Sequence, residues 1–80
     1  MTYTQVKMRR LTEYYGNDIR FDGCTSFGWV PTNFAVVGKI LQFEKLEGTW
    51  YIAERYETRS EEEVISYERL HLKHRNGSDI

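Results

Sequence analysis

The stretch Ser60-Glu61-Glu62-Glu63-Val64-Ile65-Ser66-Tyr67-Glu68-Arg69-Leu70-His71-Leu72-Lys73-His74-Arg75 decides how the chain is read. Its first four residues have the capping-box form S-x-x-E. In that form the Ser60 hydroxyl accepts from the amide three residues on, and Glu63 reaches back to the Ser60 amide. Three glutamates in the first turn complement the positive end of a helix dipole, and Lys73, His74 and Arg75 suit its negative end. Asn76-Gly77 supplies a stop. On a helical wheel Glu62, Ser66, Arg69 and Lys73 form a narrow polar face. Val64, Tyr67, Leu70 and His71 lie to one side of it, Ile65 and Leu72 to the other. This broad apolar arc predicts a helix lying across a sheet as a lid. The competing strand assignment puts Val64, Leu70 and Leu72 on one face, interrupted by Ser66 and Glu68.

Upstream of Ser60 the pattern is that of strands. Thr49 to Tyr56 alternates, with Trp50, Ile52, Glu54 and Tyr56 on one face and Tyr51, Ala53 and Arg55 on the other. Ala35 to Glu44 is rich in β-branched and aromatic residues. The two runs flank Lys45-Leu46-Glu47-Gly48 and predict a β-hairpin. Tyr3 to Leu11 alternates more loosely, with Val6 and Met8 opposed to Lys7 and Arg9. A turn at Gly16-Asn17-Asp18 and a short strand Ile19–Asp22 follow. Residues 23–33 are the least regular; Pro31 lacks an amide donor, so a strand there is an edge or ends at Val30. The expected fold is α+β: a small antiparallel sheet of three to five strands with one C-terminal helix packed on it, in a single domain over residues 1–80. The alternative is an SH3-like small β-barrel in which the last segment is a strand or short turn.

Eighty residues allow one domain, which buries only about 60% of its unfolded surface. Cys24 is the only cysteine, so no intrachain disulfide or thiol-based metal cluster can assist. Two Trp, six Tyr and four Phe are hard to hide in so small a core, which predicts rings exposed at a partner surface or between copies of the chain. The formal charge is −1, +1 over residues 1–34 and −2 over 35–80, which is neither a basic nucleic-acid binder nor an acidic mimic. No apolar run approaches the roughly 20 residues of a membrane span, and no apolar segment near Met1 resembles a secretory signal. With a lone cysteine, the expected setting is the cytoplasm.

No enzyme motif is legible, and the expectation is a protein that is not an enzyme and needs no cofactor. Glu68, His71 and His74 have helical metal-ligand spacing, but Lys73 and Arg75 oppose a bound cation, and no metal is expected. Cys24 has no base near it in sequence. The six glycines form no phosphate-binding pattern. Lys7, Arg9 and Arg10 with Tyr15 form a basic–aromatic cluster of the kind that holds single-stranded nucleic acid, although a strand sends Arg9 and Arg10 to opposite faces. The most unusual string is Phe27-Gly28-Trp29-Val30-Pro31-Thr32-Asn33-Phe34. It resembles the Pro-containing stretch near the end of SH3 domains, without their acidic and Tyr-rich upstream segments. It predicts a displayed apolar loop, with Phe27, Trp29 and Phe34 as contacts beside Tyr14 and Tyr15; the alternative is that Trp29 and Phe34 plug one end of the core.

Gly48-Thr49-Trp50-Tyr51-Ile52, Ser60-Glu61-Glu62-Glu63-Val64 and the polar end Arg75-Asn76-Gly77-Ser78-Asp79-Ile80 resemble, in general character, small phage and prophage proteins. The resemblance implies a viral protein in host cytoplasm and carries over no functional residue. The leading expectation is therefore a small non-enzymatic binding protein, phage-encoded, acting on a host or phage protein, for example as an inhibitor of host metabolism or defence. The alternatives are a nucleic-acid-binding module built on Lys7, Arg9, Arg10 and Tyr15, and an oligomeric small-molecule or nucleotide-binding protein.

Overall fold

A computed structural model of the chain describes residues 1–15 and 18–73; of residues 13–15 and 18 it describes the backbone alone. Four strands, β1 (Thr2–Tyr15), β2 (Asp18–Pro31), β3 (Ile40–Gln42) and β4 (Thr49–Ser60), form one antiparallel sheet in the order β2-β1-β4-β3. The sheet curls into a half-barrel. Val6 and Met8 of β1, Val30 of β2, Leu41 and Phe43 in and just after β3, and Trp50 and Ile52 of β4 fill its concave side. The Trp50 indole N–H donates to the Glu47 carbonyl at 3.2 Å, so this ring is buried with its polar atom partnered.

The predicted strands are present with altered lengths. β2 is one edge strand ending at Pro31: it joins the expected short strand Ile19–Asp22 to residues 23–31, where any strand was expected to be an edge or to end at Val30. The chain passes Gly23 as a bulge: the register runs from Arg9↔Thr25 to Leu11↔Phe21, and Gly23 takes φ +90°, which an L side chain resists. The β3–β4 hairpin forms, but β3 is only three residues long. Residues 35–39 turn instead, Lys39 donating to the Val36 carbonyl at 3.0 Å, and only Gly38 and Lys39 still bond to Ile52 of β4, at 2.8 and 3.0 Å. In β4 the expected face splits. Lys7 pairs with Glu54 and Met8 with Ile52, so Ala53 is an extra residue. Past it the alternation inverts: Trp50 and Ile52 face the core, while Glu54 and Tyr56 turn outward.

The C-terminal helix is not formed, and the α+β assignment is corrected to all-β. Among the described residues helical geometry is confined to three 3-10 turns, Thr32–Phe34, Glu61–Glu63 and Ser66–Glu68. The cap itself is real: Glu63 Oε1 accepts from the Ser60 amide at 3.1 Å and from its hydroxyl at 3.0 Å. The turn nevertheless stops at Val64, which is extended at φ −103° and ψ 122°. Arg69 is the local reason. Its Nη2 donates to the Glu61 carbonyl at 2.6 Å and its Nε to the Val64 carbonyl at 3.0 Å. A continuing helix would use those two carbonyls for the amides of Ile65 and Glu68. The sheet edges are the wider reason. Leu70 N–H donates to the Trp29 carbonyl at 2.8 Å, Glu44 N–H to the His71 carbonyl at 2.9 Å, and Lys73 N–H to the Gln42 carbonyl at 3.1 Å. Residues 69–73 thus hold the edge of β2 and the edge beyond β3, spanning the open side of the half-barrel. Val64 is buried, and Leu70 and Leu72 pack against the core. The arrangement is also not the alternative, an SH3-like barrel, because the sheet itself closes only halfway. Asn76 and Gly77, the expected helix stop, lie outside the described residues. No helix among the described residues is long and apolar enough to cross a membrane.

Candidate functional site

The bulges and edges described above place rings on the convex side of the sheet. Lys7 and Gln5 of β1 sit opposite Phe27 and Trp29 of β2. The inversion after Ala53 adds Tyr56 from β4, whose ring stacks on Phe27 with centroids 6.1 Å apart and planes 26° apart. From the second C-terminal turn, Ser66–Glu68, Tyr67 and Glu68 come alongside. The result is a cleft of about 360 Å³. Phe27, Trp29 and Tyr67 supply its rings, Gly28 and Leu70 its aliphatic part, and Gln5 and Glu68 its polar groups. Phe27, Tyr56 and Tyr67 are 57%, 43% and 83% exposed, so these rings contribute little to the core and much to the surface. Burial raises the Tyr56 hydroxyl pKa, helped by its hydrogen bond to the Glu54 carboxylate at 3.0 Å, and keeps it a neutral donor.

Gly28 is what allows the cleft to form. A Cβ at this position would lie 2.3 Å from Leu70 Cδ1 and 3.0 Å from Leu70 Cγ. The bare backbone lets Leu70 lie directly against β2, and the Leu70 amide then reaches the Trp29 carbonyl. Tyr67 and Glu68 are held beside Trp29 by that attachment.

The charges on the convex side are mostly balanced within the protein. Lys7 Nζ lies 3.6 Å from Glu54, and Arg59 Nη2 lies 2.9 Å from Glu57 while its guanidinium sits 5.7 Å from the Trp29 ring centroid. Arg9 stacks 3.9 Å from the Phe21 ring centroid, and Phe21 in turn meets Tyr51 edge-on at 5.4 Å. Arg10 leaves this group. It pairs with Asp22 at the β2 bulge and places Nη2 3.3 Å from Cys24 Sγ. The Cys24 amide lowers the Asp22 pKa, and Arg10 lowers it further; Asp22 raises that of Arg10. A phosphate backbone would have to displace Glu54 and Glu57 from their cations before it gained contacts, which weakens the nucleic-acid reading.

The expected site residues are therefore divided. Phe27 and Trp29 meet at the cleft. Phe34, at the end of the first 3-10 turn, packs against the core with Lys39 Nζ 5.7 Å from its ring centroid, away from the cleft. Tyr14 and Tyr15 end β1 opposite Ile19 and Asp18, and their side chains lie outside the description. Lys7 and Arg9 share the convex face, and Arg10 does not. Cys24 is exposed on the bulge. His71 is exposed, Glu68 belongs to the cleft, and His74 lies outside the described residues. Among the described residues no three His, Cys, Asp or Glu side chains converge as a metal site. Sequence reasoning missed Tyr56, Tyr67 and Glu68. Tyr67 carried a signal in the strand pattern, which puts it on the face opposite Val64, Leu70 and Leu72, whereas Glu68 falls on their face as a polar interruption. Tyr56 carried none, since alternation alone assigns it to the core side.

The chain matches no protein-family model, and no curated protein and no solved structure is detectably similar to it. Nothing in these comparisons bears on the likeness to small phage proteins.

Proposed function

We propose that the protein is a non-enzymatic binding protein that occupies the surface of another protein through the cleft and the ring stack beside it. The observation that carries this reading is the gathering of Phe27, Trp29, Tyr56 and Tyr67, from three separate parts of the chain, around one solvent-facing cleft. Large rings in a recess are the usual anchors of protein interfaces, and a few of them dominate the binding energy. The cleft is near the lower end of the size range of small-molecule sites, about 300–1,000 Å³, which suits one or two partner side chains better than a whole cofactor. The internal ion pairs favour a protein partner over a polyanion.

The test compares proteins captured from a lysate of the producing cells by the wild-type chain and by Phe27→Ala/Tyr67→Ala. Both residues are exposed, so the double variant keeps the fold, losing about 0.5–1.5 kcal/mol with the Phe27–Tyr56 stack. The expected outcome is a partner retained by the wild type and lost by the variant at unchanged far-UV circular dichroism. Equal capture by both would end the reading.

A further inference from the structure

Building on that proposed surface, we infer that the cleft takes a cationic side chain, lysine or arginine, presented by the partner. Three rings line it, Phe27, Trp29 and Tyr67, and aromatic faces attract ammonium and guanidinium groups. Glu68 lies among them, and its carboxylate has no partner among the described residues. The nearby cations do not supply one: Lys7 is held by Glu54 and Arg59 by Glu57. With those pairs neutral, the described residues give the cleft one surplus negative charge beside its rings, and the Gln5 amide oxygen adds an acceptor. Arg59 already places its guanidinium 5.7 Å from the centroid of the Trp29 ring, so one ring of the cleft carries this type of contact within the chain itself. Leu70, held by the Gly28 notch, offers an aliphatic surface for the methylene stem that both lysine and arginine carry. A carboxylate of the partner would meet Glu68 as a like charge, and a purely apolar side chain would cover Glu68 without replacing its lost water.

The probes are N-acetyl-lysine N-methylamide, its arginine counterpart and the uncharged isostere N-acetyl-norleucine N-methylamide. Each is titrated into the whole protein and followed by the amide resonances of Gly28, Trp29 and Leu70 and the Trp29 indole. The lysine and arginine probes should shift these resonances, with the norleucine probe about tenfold weaker. Glu68→Gln should weaken the two cations about fivefold and leave norleucine unchanged. Norleucine binding as well as lysine, absence of any shift with lysine, or an unchanged lysine affinity in Glu68→Gln would each overturn the inference. So would an oligothymidylate that binds the wild type and binds Glu68→Gln more tightly, because the site would then favour phosphate. Repeating the lysate capture with Glu68→Gln separates the two levels. If Glu68→Gln captures the partner fully while Phe27→Ala/Tyr67→Ala does not, the cation inference fails and the protein-binding surface stands. If both variants capture it fully, the surface fails as well.

Discussion

Asp22 shows how much of the β2 bulge depends on one carboxylate. Its Oδ1 accepts from the Cys24 amide at 2.8 Å, and its Oδ2 accepts from Arg10 Nε. One side chain therefore satisfies the backbone where Gly23 interrupts the ladder, and ties the bulge to β1. Both contacts favour the ionised form, so the folded-state pKa lies below the ordinary aspartate value. For a depressed carboxylate the stabilising contribution is present above the unfolded-state pKa, near 3.9, and is lost as pH falls through the folded-state value. Glu63 behaves in the same way, lowered by the Ser60 amide and then by the Ser60 hydroxyl. The wild-type urea midpoint should accordingly drop as pH falls below about 4. In Asp22→Asn the neutral-pH midpoint should be lower and its acid dependence shallower, with the remaining slope due to Glu63 and other carboxylates. Identical acid slopes in the two proteins would remove Asp22 from this role.

At the level of elements, the instructive segment is residues 60–73. The Ser60–Glu63 box was legible because capping is a local matter of four residues, and it forms as the spacing requires. The helix expected after it was not, because its fate depends on groups distant in sequence: the Trp29 and Gln42 carbonyls and the Glu44 amide at the sheet edges. Hydrogen bonding to the sheet replaces hydrogen bonding within a helix, and the apolar residues that matter become Val64, Leu70 and Leu72 rather than the whole arc. The same limit explains the site. Phe27 and Trp29 could be singled out from their own string, whereas Tyr56 faces outward only because Ala53 inverts the alternation of β4, and no residue near Ala53 announces a bulge. Arg69 fixes the outcome within the segment, joining Glu61 and Val64 carbonyls with its fork and approaching the Glu61 carboxylate at 3.5 Å. Arg69→Ala should cost about 2 kcal/mol, the scale of hydrogen bonds to a charged group, or about 10 °C in Tm for a domain of this size. Arg69→Lys should recover less than half of this, because an ammonium cannot serve two carbonyls in a fixed plane. Full recovery by lysine would mean that charge alone matters there.

For the whole molecule, the question is what keeps a half-barrel from opening. The sheet has two edges far apart in strand order, β2 and β3, and a core exposed between them unless something spans the gap. Residues 69–73 do so with backbone bonds to both sides and with Leu70 and Leu72 on the core. Total stability for 80 residues is of the order of 4–12 kcal/mol, so a closure that contributes a few kcal/mol is a large share of it. The tightest point of the closure is Leu70 on Gly28, where an added Cβ would come within 2.3 Å of Leu70 Cδ1. Gly28→Ala alone should therefore destabilise by about 1–3 kcal/mol, by forcing Leu70 off β2. Leu70→Ala alone should cost about 1–2 kcal/mol for a half-buried side chain. In the double variant the new methyl group occupies space that the shortened Leu70 vacates. The two effects should then fall short of additivity by more than about 0.5 kcal/mol in a urea-denaturation cycle. Strict additivity would show that Leu70 does not bear on Gly28 in solution, and the cleft that depends on this contact would lose its Tyr67 and Glu68 side.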